Sequence, residues 1–185
     1  KMKNILPEGA DIVIRFHDAR RLGELKTAIF SLTMQTYRPL AIHLCLQRFT
    51  TEEIDFLRDE LKPFFSIEEA PELIIHNWNG LLPRDARSVL VNLGISHAKY
   101  RFLTFLDYDD ALYPEALGLL SSKLSQSMAA IAFASIQVKQ IEMYPYFLFS
   151  SGRGDPFLGS NLLDLFENNF CPIHSFMIDR SNVEK

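Results

Sequence analysis

The feature that most constrains this chain is an alternation. Short apolar runs, each the length of one buried strand, are separated by stretches in which apolar residues recur every three or four positions. Asp11 to His17 (DIVIRFH), Leu40 to Leu46 (LAIHLCL) and Phe102 to Leu106 (FLTFL) are the clearest runs. Their β-branched and apolar content reads as strand, and the last, apolar without alternation, reads as a sheet centre covered on both faces. Between the first two, Leu22, Leu25, Ile29 and Leu32 line one face of a helix ending near Gln35, where Tyr37, Arg38 and Pro39 stop it. Thr50, followed three residues later by Glu53, makes a capping box for a helix running to Leu61.

Further along, a weaker strand is expected over Leu73 to His76, then an irregular stretch from Asn77 to Pro83. A helix from Asp85 to Ala98 follows, with Val89, Leu90 and Leu93 inward. Pro114 suits the first turn of a helix over Glu115 to Leu124, and Ala129 to Val138 reads as another strand. The later chain is looser: a Gly-rich loop from Ser151 to Gly159, a short helix from Asn161 to Phe166, and a strand over Ile173 to Ile178. Alternating elements of this kind argue an α/β fold with a mostly parallel central sheet flanked by helices.

Composition narrows the function classes. A chain of 185 residues, 48% hydrophobic and 23% charged, is expected to form one globular domain. Its net charge of -4 gives no broad attraction to nucleic acid or to an anionic membrane, so any phosphate site must be local. Cys45 and Cys171 make no disulfide framework, which fits a reducing compartment. No apolar run approaches the ~20 residues of a membrane span, and Lys1 to Gly9 lacks a signal-peptide core. The expected location is therefore cytoplasmic, or the inner face of the membrane. Peripheral membrane association through Met143 to Phe149 is the minority reading beside a buried cleft wall.

Two polar clusters fall at the carboxyl ends of expected strands, where open α/β sheets bind ligands: Arg15 to Asp18, and Asp107-Tyr108-Asp109-Asp110. Three carboxylates in four residues repel one another unless a cation or proton intervenes, and hard divalent ions prefer oxygen ligands. Capping of the next helix accounts for one of them, Asp110, but not for three. His174, on the expected late strand, is read as a wall residue or as a group that orients an acceptor. His43, between Ile42 and Leu44, is expected to face out or to be satisfied locally. Arg153-Gly154-Asp155 is read as loop.

At these residues the chain resembles the family 2 glycosyltransferases of the GT-A fold. Asn92, Gly94, Ile95, Ala98 and Phe102 to Pro114 (FLTFLDYDDALYP) are similar to the family's N-x-G-I helix, strand and D-x-D-D turn. Ile12 to Asp18 (IVIRFHD) stands at the first strand, Ser31 to Tyr37 (SLTMQTY) matches S-x-x-x-Q-T-Y, and Asn169 to Ser181 is similar to the acceptor-side strand. The resemblance implies a Rossmann-like, mostly parallel sheet with the D-x-D turn after a central strand. It also implies one domain over 1–185, with 1–110 the nucleotide-sugar and metal half and 111–185 the acceptor side.

Carried over by position, the resemblance implies that Asp107 and Asp109 hold a divalent cation, manganese or magnesium, and approach ribose and diphosphate, with Asp110 the next acid. Arg15, Phe16, His17 and Asp18 would form the nucleotide wall. Arg84 and Arg87 would face the diphosphate, and Asn92 belongs to the same site. Gln47 replaces the family's acidic residue after the second strand, and Leu90-Val91-Asn92 replaces A-R-N. The general base of the family, an E-D pair, is expected beyond Lys185; Glu184 is no substitute, and His174 is the candidate within the chain. The implied reaction moves a sugar from a nucleoside diphosphate sugar to the hydroxyl of a glycan or lipid-linked acceptor, with inversion, in bacterial surface polysaccharide synthesis. Two rivals stand beside it: a degenerate GT-A domain that binds without turnover, and a haloacid-dehalogenase-type phosphatase using Asp107 and Asp109. A dinucleotide-binding dehydrogenase is disfavoured, since no G-x-G-x-x-G follows the first strand.

Overall fold

A computed structural model describes residues 6–139, 141–143, 148–150, 155–157, 164 and 171–183. The order begins β1 (Ala10–Phe16), α1 (Leu22–Thr33), β2 (Leu40–Gln47), α2 (Thr51–Leu61), β3 (Glu72–Trp78), α3 (Arg87–His97), β4 (Phe102–Asp107) and α4 (Ala116–Ser125). Five short strands follow, β5 (Ile131–Phe133), β6 (Ile136–Val138), β7 (Ile141–Met143), β8 (Leu148–Ser150) and β9 (Asp155–Phe157), and β10 (Phe176–Asp179) comes last. The main sheet runs β3-β2-β1-β4-β10-β5. Its first four strands are parallel, while β10 lies antiparallel to both β4 and β5.

The sheet is apolar on both faces because both are covered. On one side Ile12, Ile14, Phe16, Ile42 and Leu44 pack against Leu25, Ile29 and Leu32 of α1, Leu57 and Leu61 of α2, and Leu117 and Leu124 of α4. On the other, Val13, Cys45, Leu103 and Phe105 meet Leu90 and Ala86 from α3 and its approach. A strand buried on both faces has no use for polar alternation, so LAIHLCL and FLTFL read as continuous runs. Helix α3 comes very close to β1: a Cβ built on Gly94 would lie 2.5 Å from Val13 Cγ1, so any other residue there pushes α3 off the sheet.

The capping box is present, with Thr50 N donating to Glu53 Oε2 at 2.8 Å and Glu53 N to Thr50 Oγ1 at 3.2 Å. Several expectations need correction. The expected strand Ala129 to Val138 is two strands in different sheets, β5 and β6, because β5 pairs with β10 and β6 turns away to β9. Part of the expected loop Ser151 to Gly159 is therefore strand β9. Ile173 to Ser175 is a 3-10 turn and only Phe176–Asp179 is strand, so His174 does not sit on a strand. Pro114 lies before α4 and not in its first turn. His43 does not face out: it is fully buried, and its Nε2 lies 2.9 Å from Asp11 Oδ1 on the neighbouring strand. Tyr144 to Phe147, Asn161 to Leu163, Arg153-Gly154, Asn169-Phe170 and Glu184 lie outside the described residues. Among the described residues no helix is long and apolar enough to cross a membrane.

Candidate active site

Strands β1 and β4 end side by side, and their register places Arg15 opposite Asp107. The two side chains form an ion pair at the carboxyl edge of the sheet. The chain then turns at once, with Asp110 N donating to Asp107 O at 3.0 Å. What holds the exit of this turn is α1. Ser31 Oγ accepts from Leu112 N at 3.2 Å. The buried Gln35 amide donates to Tyr113 O at 2.8 Å and accepts from Leu117 N at 3.1 Å. The Ser and Gln of SLTMQTY are thus a clamp on the segment that follows the acids.

His174 enters from the third side. The turn that carries it is closed by Ser175 N donating to Pro172 O at 2.9 Å. His174 Nδ1 lies 3.0 Å from Asp110 Oδ2 and 3.7 Å from Asp107 Oδ2. One ligand atom each from Asp107, Asp110 and His174 falls within 4.8 Å of the others. Nδ1 is buried, yet it has no partner in hydrogen-bond geometry; its carboxylate neighbours are at ion-pair distance only. A buried nitrogen aimed between two carboxylates without a hydrogen bond suits a third partner, and two carboxylates with one imidazole are a donor set a divalent cation accepts. His174 is pushed up to about 9, by Asp107 first and then Asp110, against the opposing effect of burial. His174 in turn, with Arg15, holds the Asp107 carboxyl down at about 2 against the opposing effect of burial.

Asp109 is not in that group. It points to the other side of the turn, where Arg21 Nη2 lies 3.2 Å from its Oδ2. Of the expected trio, the structure brings Asp107 and Asp110 together with His174, while Asp109 stands apart from them. The bond from Asp110 N to Asp107 O brings those two residues together, while Arg21 holds Asp109 apart.

A cleft of about 400 Å³ opens beside the acids. Of the residues named from the sequence, Arg15, His17, Gln47, Arg87 and Asp107 line it, together with Asp85, Leu90 and Tyr108. An adjoining space of about 530 Å³ reaches Ser88, Asn92 and Ile173. Other expected site residues stand elsewhere. Phe16 is fully buried between Phe49 and Tyr108, with ring centroids 5.7 and 5.4 Å away, so it supports the wall from behind. Asp18 chelates Arg20 at 2.7 Å and caps the turn Ala19–Arg21, which holds its carboxyl down at about 2. Arg84 enters through its carbonyl, which accepts from Gln47 Nε2 at 2.9 Å. Arg87 forks onto Asp85 at 2.6 Å.

Tyr108, Asp85 and Arg21 were not anticipated. Tyr108 had a signal, since it sits inside the acid motif, and Asp85 stands two residues before Arg87. Arg21 had none, because its contact to Asp109 spans 88 positions of sequence.

Comparison with known proteins bears on this geometry. Residues 82–185, just over half of the chain, match the sequence profile of Glycosyl transferase family 2. No curated protein sequence matches the chain. Among solved structures, TarS 1-349 of S. aureus in complex with UDP superposes with a TM-score of 0.61 at 12% identity, covering 92% of this chain and 46% of that one. TarS 1-349 alone gives 0.60 at 11%, with 92% and 47% covered. The mannosyltransferase PcManGT from Pyrobaculum calidifontis, in complex with GDP-Man and Mn2+, gives 0.51 at 14%, with 76% and 39% covered. At these identities the likeness shows a shared GT-A fold, and this chain spans less than half the length of the chain in each of these three structures.

Proposed function

The chain belongs to glycosyl transferase family 2, and from that premise we propose that it binds a nucleoside diphosphate sugar together with a divalent cation and transfers the sugar to an acceptor hydroxyl. The observation that carries the reading is the group Asp107, Asp110 and His174 at the mouth of a cleft edged by Arg15 and Arg87. Support also comes from the ligands of the structural neighbours, UDP in one and GDP-Man with Mn2+ in the other. The phosphatase alternative falls with the family assignment.

Asp107, Asp110 and His174 would hold the cation, and the imidazole among them favours manganese over magnesium, which prefers all-oxygen shells. When bound, that ion neutralises charge developing on the leaving diphosphate. Arg87 supplies guanidinium donors to the same phosphates, with Asp85 fixing its orientation. His17 and Tyr108, in edge contact at 5.8 Å, form an aromatic flank for the nucleoside. Gln47, tethered through its Nε2, presents its amide to the base. The acceptor, a glycan or lipid-linked hydroxyl, approaches across the wider space near Asn92 and Ile173. Inversion of configuration, a cytoplasmic setting at the membrane face and surface-polysaccharide synthesis complete the proposal.

His174 is assigned to the cation and not to proton abstraction, because its Nδ1 is buried between Asp107 and Asp110 without a hydrogen bond, beside the acids and not toward the acceptor space. Asp179 is no candidate for a base either. It is fully buried and chelated by Arg101 at 2.7 Å and by Ser181 Oγ at 2.6 Å.

The test is a calorimetric matrix of UDP, GDP, ADP and their sugars with and without Mn2+. One nucleoside diphosphate should bind, and only with metal. Equal binding without metal would sink the metal-dependent reading, and metal-dependent binding with no turnover by a longer form of the protein would favour a binding domain.

A further inference from the structure

Arg21 belongs to none of the motifs, yet it grips the acid turn in three ways. Its Nη2 lies 3.2 Å from Asp109 Oδ2, its Nη1 donates to Tyr108 OH at 2.5 Å, and its guanidinium carbon stands 4.7 Å over the Tyr108 ring. Nε donates to Glu24 Oε1 at 2.9 Å, which anchors the stem of the fork on α1. Arg15 also pairs with an acid of the turn, but it takes Oδ1 of Asp107 and leaves Oδ2 on the side of His174. Only Asp109 is thereby kept out of the group that Asp107, Asp110 and His174 form.

A carboxylate oxygen held by a guanidinium is a poor ligand for a second cation, since the two compete for the same lone pairs. A diphosphate arriving in the cleft changes that competition. Its oxygens match the guanidinium fork and carry more charge than one carboxylate, and the part-exposed Arg21 lies directly behind Tyr108, a residue of the cleft wall, so a diphosphate there competes with Asp109 for it. Resting on the metal-and-nucleotide reading above, we propose that Arg21 is a positioning residue that holds Asp109 off the cation until a nucleoside diphosphate draws the guanidinium away. Asp109 then joins the cation, and metal and nucleotide bind with positive coupling. By linkage each tightens the other by the same factor.

The test measures Mn2+ binding by electron paramagnetic resonance, without nucleotide and with UDP or GDP, for the wild-type chain, Arg21→Gln, Asp109→Asn and the double variant. Thermal melts confirm that each is folded. Arg21→Gln should bind Mn2+ alone about fivefold to tenfold more tightly, and the further tightening by nucleotide should shrink by a similar factor. Asp109→Asn should leave the affinity for Mn2+ alone unchanged and lose the tightening by nucleotide. The double variant should return to the wild-type affinity for Mn2+ alone.

Unchanged or weaker Mn2+ binding by Arg21→Gln overturns the proposal. So does a gain that survives in the double variant, because that gain would come from the removed positive charge and not from a freed Asp109. Equal binding by all four overturns this inference and leaves the metal site standing. No binding by any of them overturns the metal reading and this inference with it.

Discussion

Two regions of this molecule pair carboxylates with histidines, and they are built oppositely. Under α3, Asp11 accepts from Lys99 N at 2.8 Å and Tyr100 N at 2.6 Å while its other oxygen meets His43 Nε2. His43 Nδ1 continues to His76 Nε2 at 3.1 Å, and the His76 ring lies against His97, tilted by 38° with centroids 4.4 Å apart. Asp11 and His43 are fully buried and every oxygen of Asp11 is engaged. At the carboxyl edge, Asp107, Asp110 and His174 are half-exposed beside a cleft, and a buried nitrogen lacks a hydrogen bond. Saturation marks the first region as architecture. Unmet capacity facing a cavity makes the second the candidate ligand site, although the residue types are the same.

The comparison breaks most visibly under substitution of its buried half. Asp11→Ala strips His43 and two backbone donors of their acceptor and should cost about 3–5 kcal/mol of stability, the range for breaking a buried pair. Denaturant melts measure it. Nucleotide affinity of the fraction that remains folded should not change, and a specific loss of binding would contradict the architectural role.

Next in size is Asp107→Ala. Metal-dependent nucleotide affinity should fall on the order of 100-fold, at or beyond the 10–100-fold typical of changes one shell further out. Its melting temperature should stay near the wild-type value, because the residue ends a strand and is not core. Calorimetry with Mn2+ checks the first half and a thermal melt the second. If stability collapsed while binding held, the two regions would have been assigned the wrong way round.

His174→Ala should weaken Mn2+ binding by about tenfold, as the loss of one ligand out of three with the carboxylates intact. His174→Gln, which keeps a polar tip, should recover part of it. A Mn2+ titration without nucleotide distinguishes them, and no effect from either would return His174 to the role of wall residue.

The smallest effect is acid sensitivity of the buried chain. Burial first, then His97 and His43, push His76 down from 6.5 to about 4. A depressed folded value means the unfolded chain binds the proton more readily, so stability present above pH 6.5 is lost as pH falls toward 4. The loss should be about 1–2 kcal/mol, reduced from the full linkage value because the ring is part-exposed and screened by solvent. His76→Gln should flatten the pH dependence of the melting midpoint in that window.

Much of this was legible in the residues themselves. Continuous apolar runs announced strands covered on both faces, and the capping box placed α2 within a residue of its true start. Three acids in four positions pointed to a cation, and the cleft formed where they were. Other features resisted reading. The split of Ala129 to Val138 into β5 and β6 depends on which partner each half finds, and apolar content does not specify a partner. Phe16 stood inside a polar cluster in sequence yet is buried, because residues on a strand alternate faces and its neighbours Arg15 and His17 take the open side.

By itself, then, the sequence determined the element types, the α/β class and the acid turn, since periodicity, capping and like-charge crowding act between residues a few positions apart. Tertiary structure alone decided which acids come together with His174 and which one is held apart by Arg21. His174 reaches Asp110 across 64 positions and Arg21 reaches Asp109 across 88, and those contacts exist only after β10 has paired with β4 and the turn after β1 has come to rest against it. A carboxylate's role depends on the nearest opposite charge within a few ångströms, and that neighbour comes from the packing of the sheet and not from adjacency along the chain.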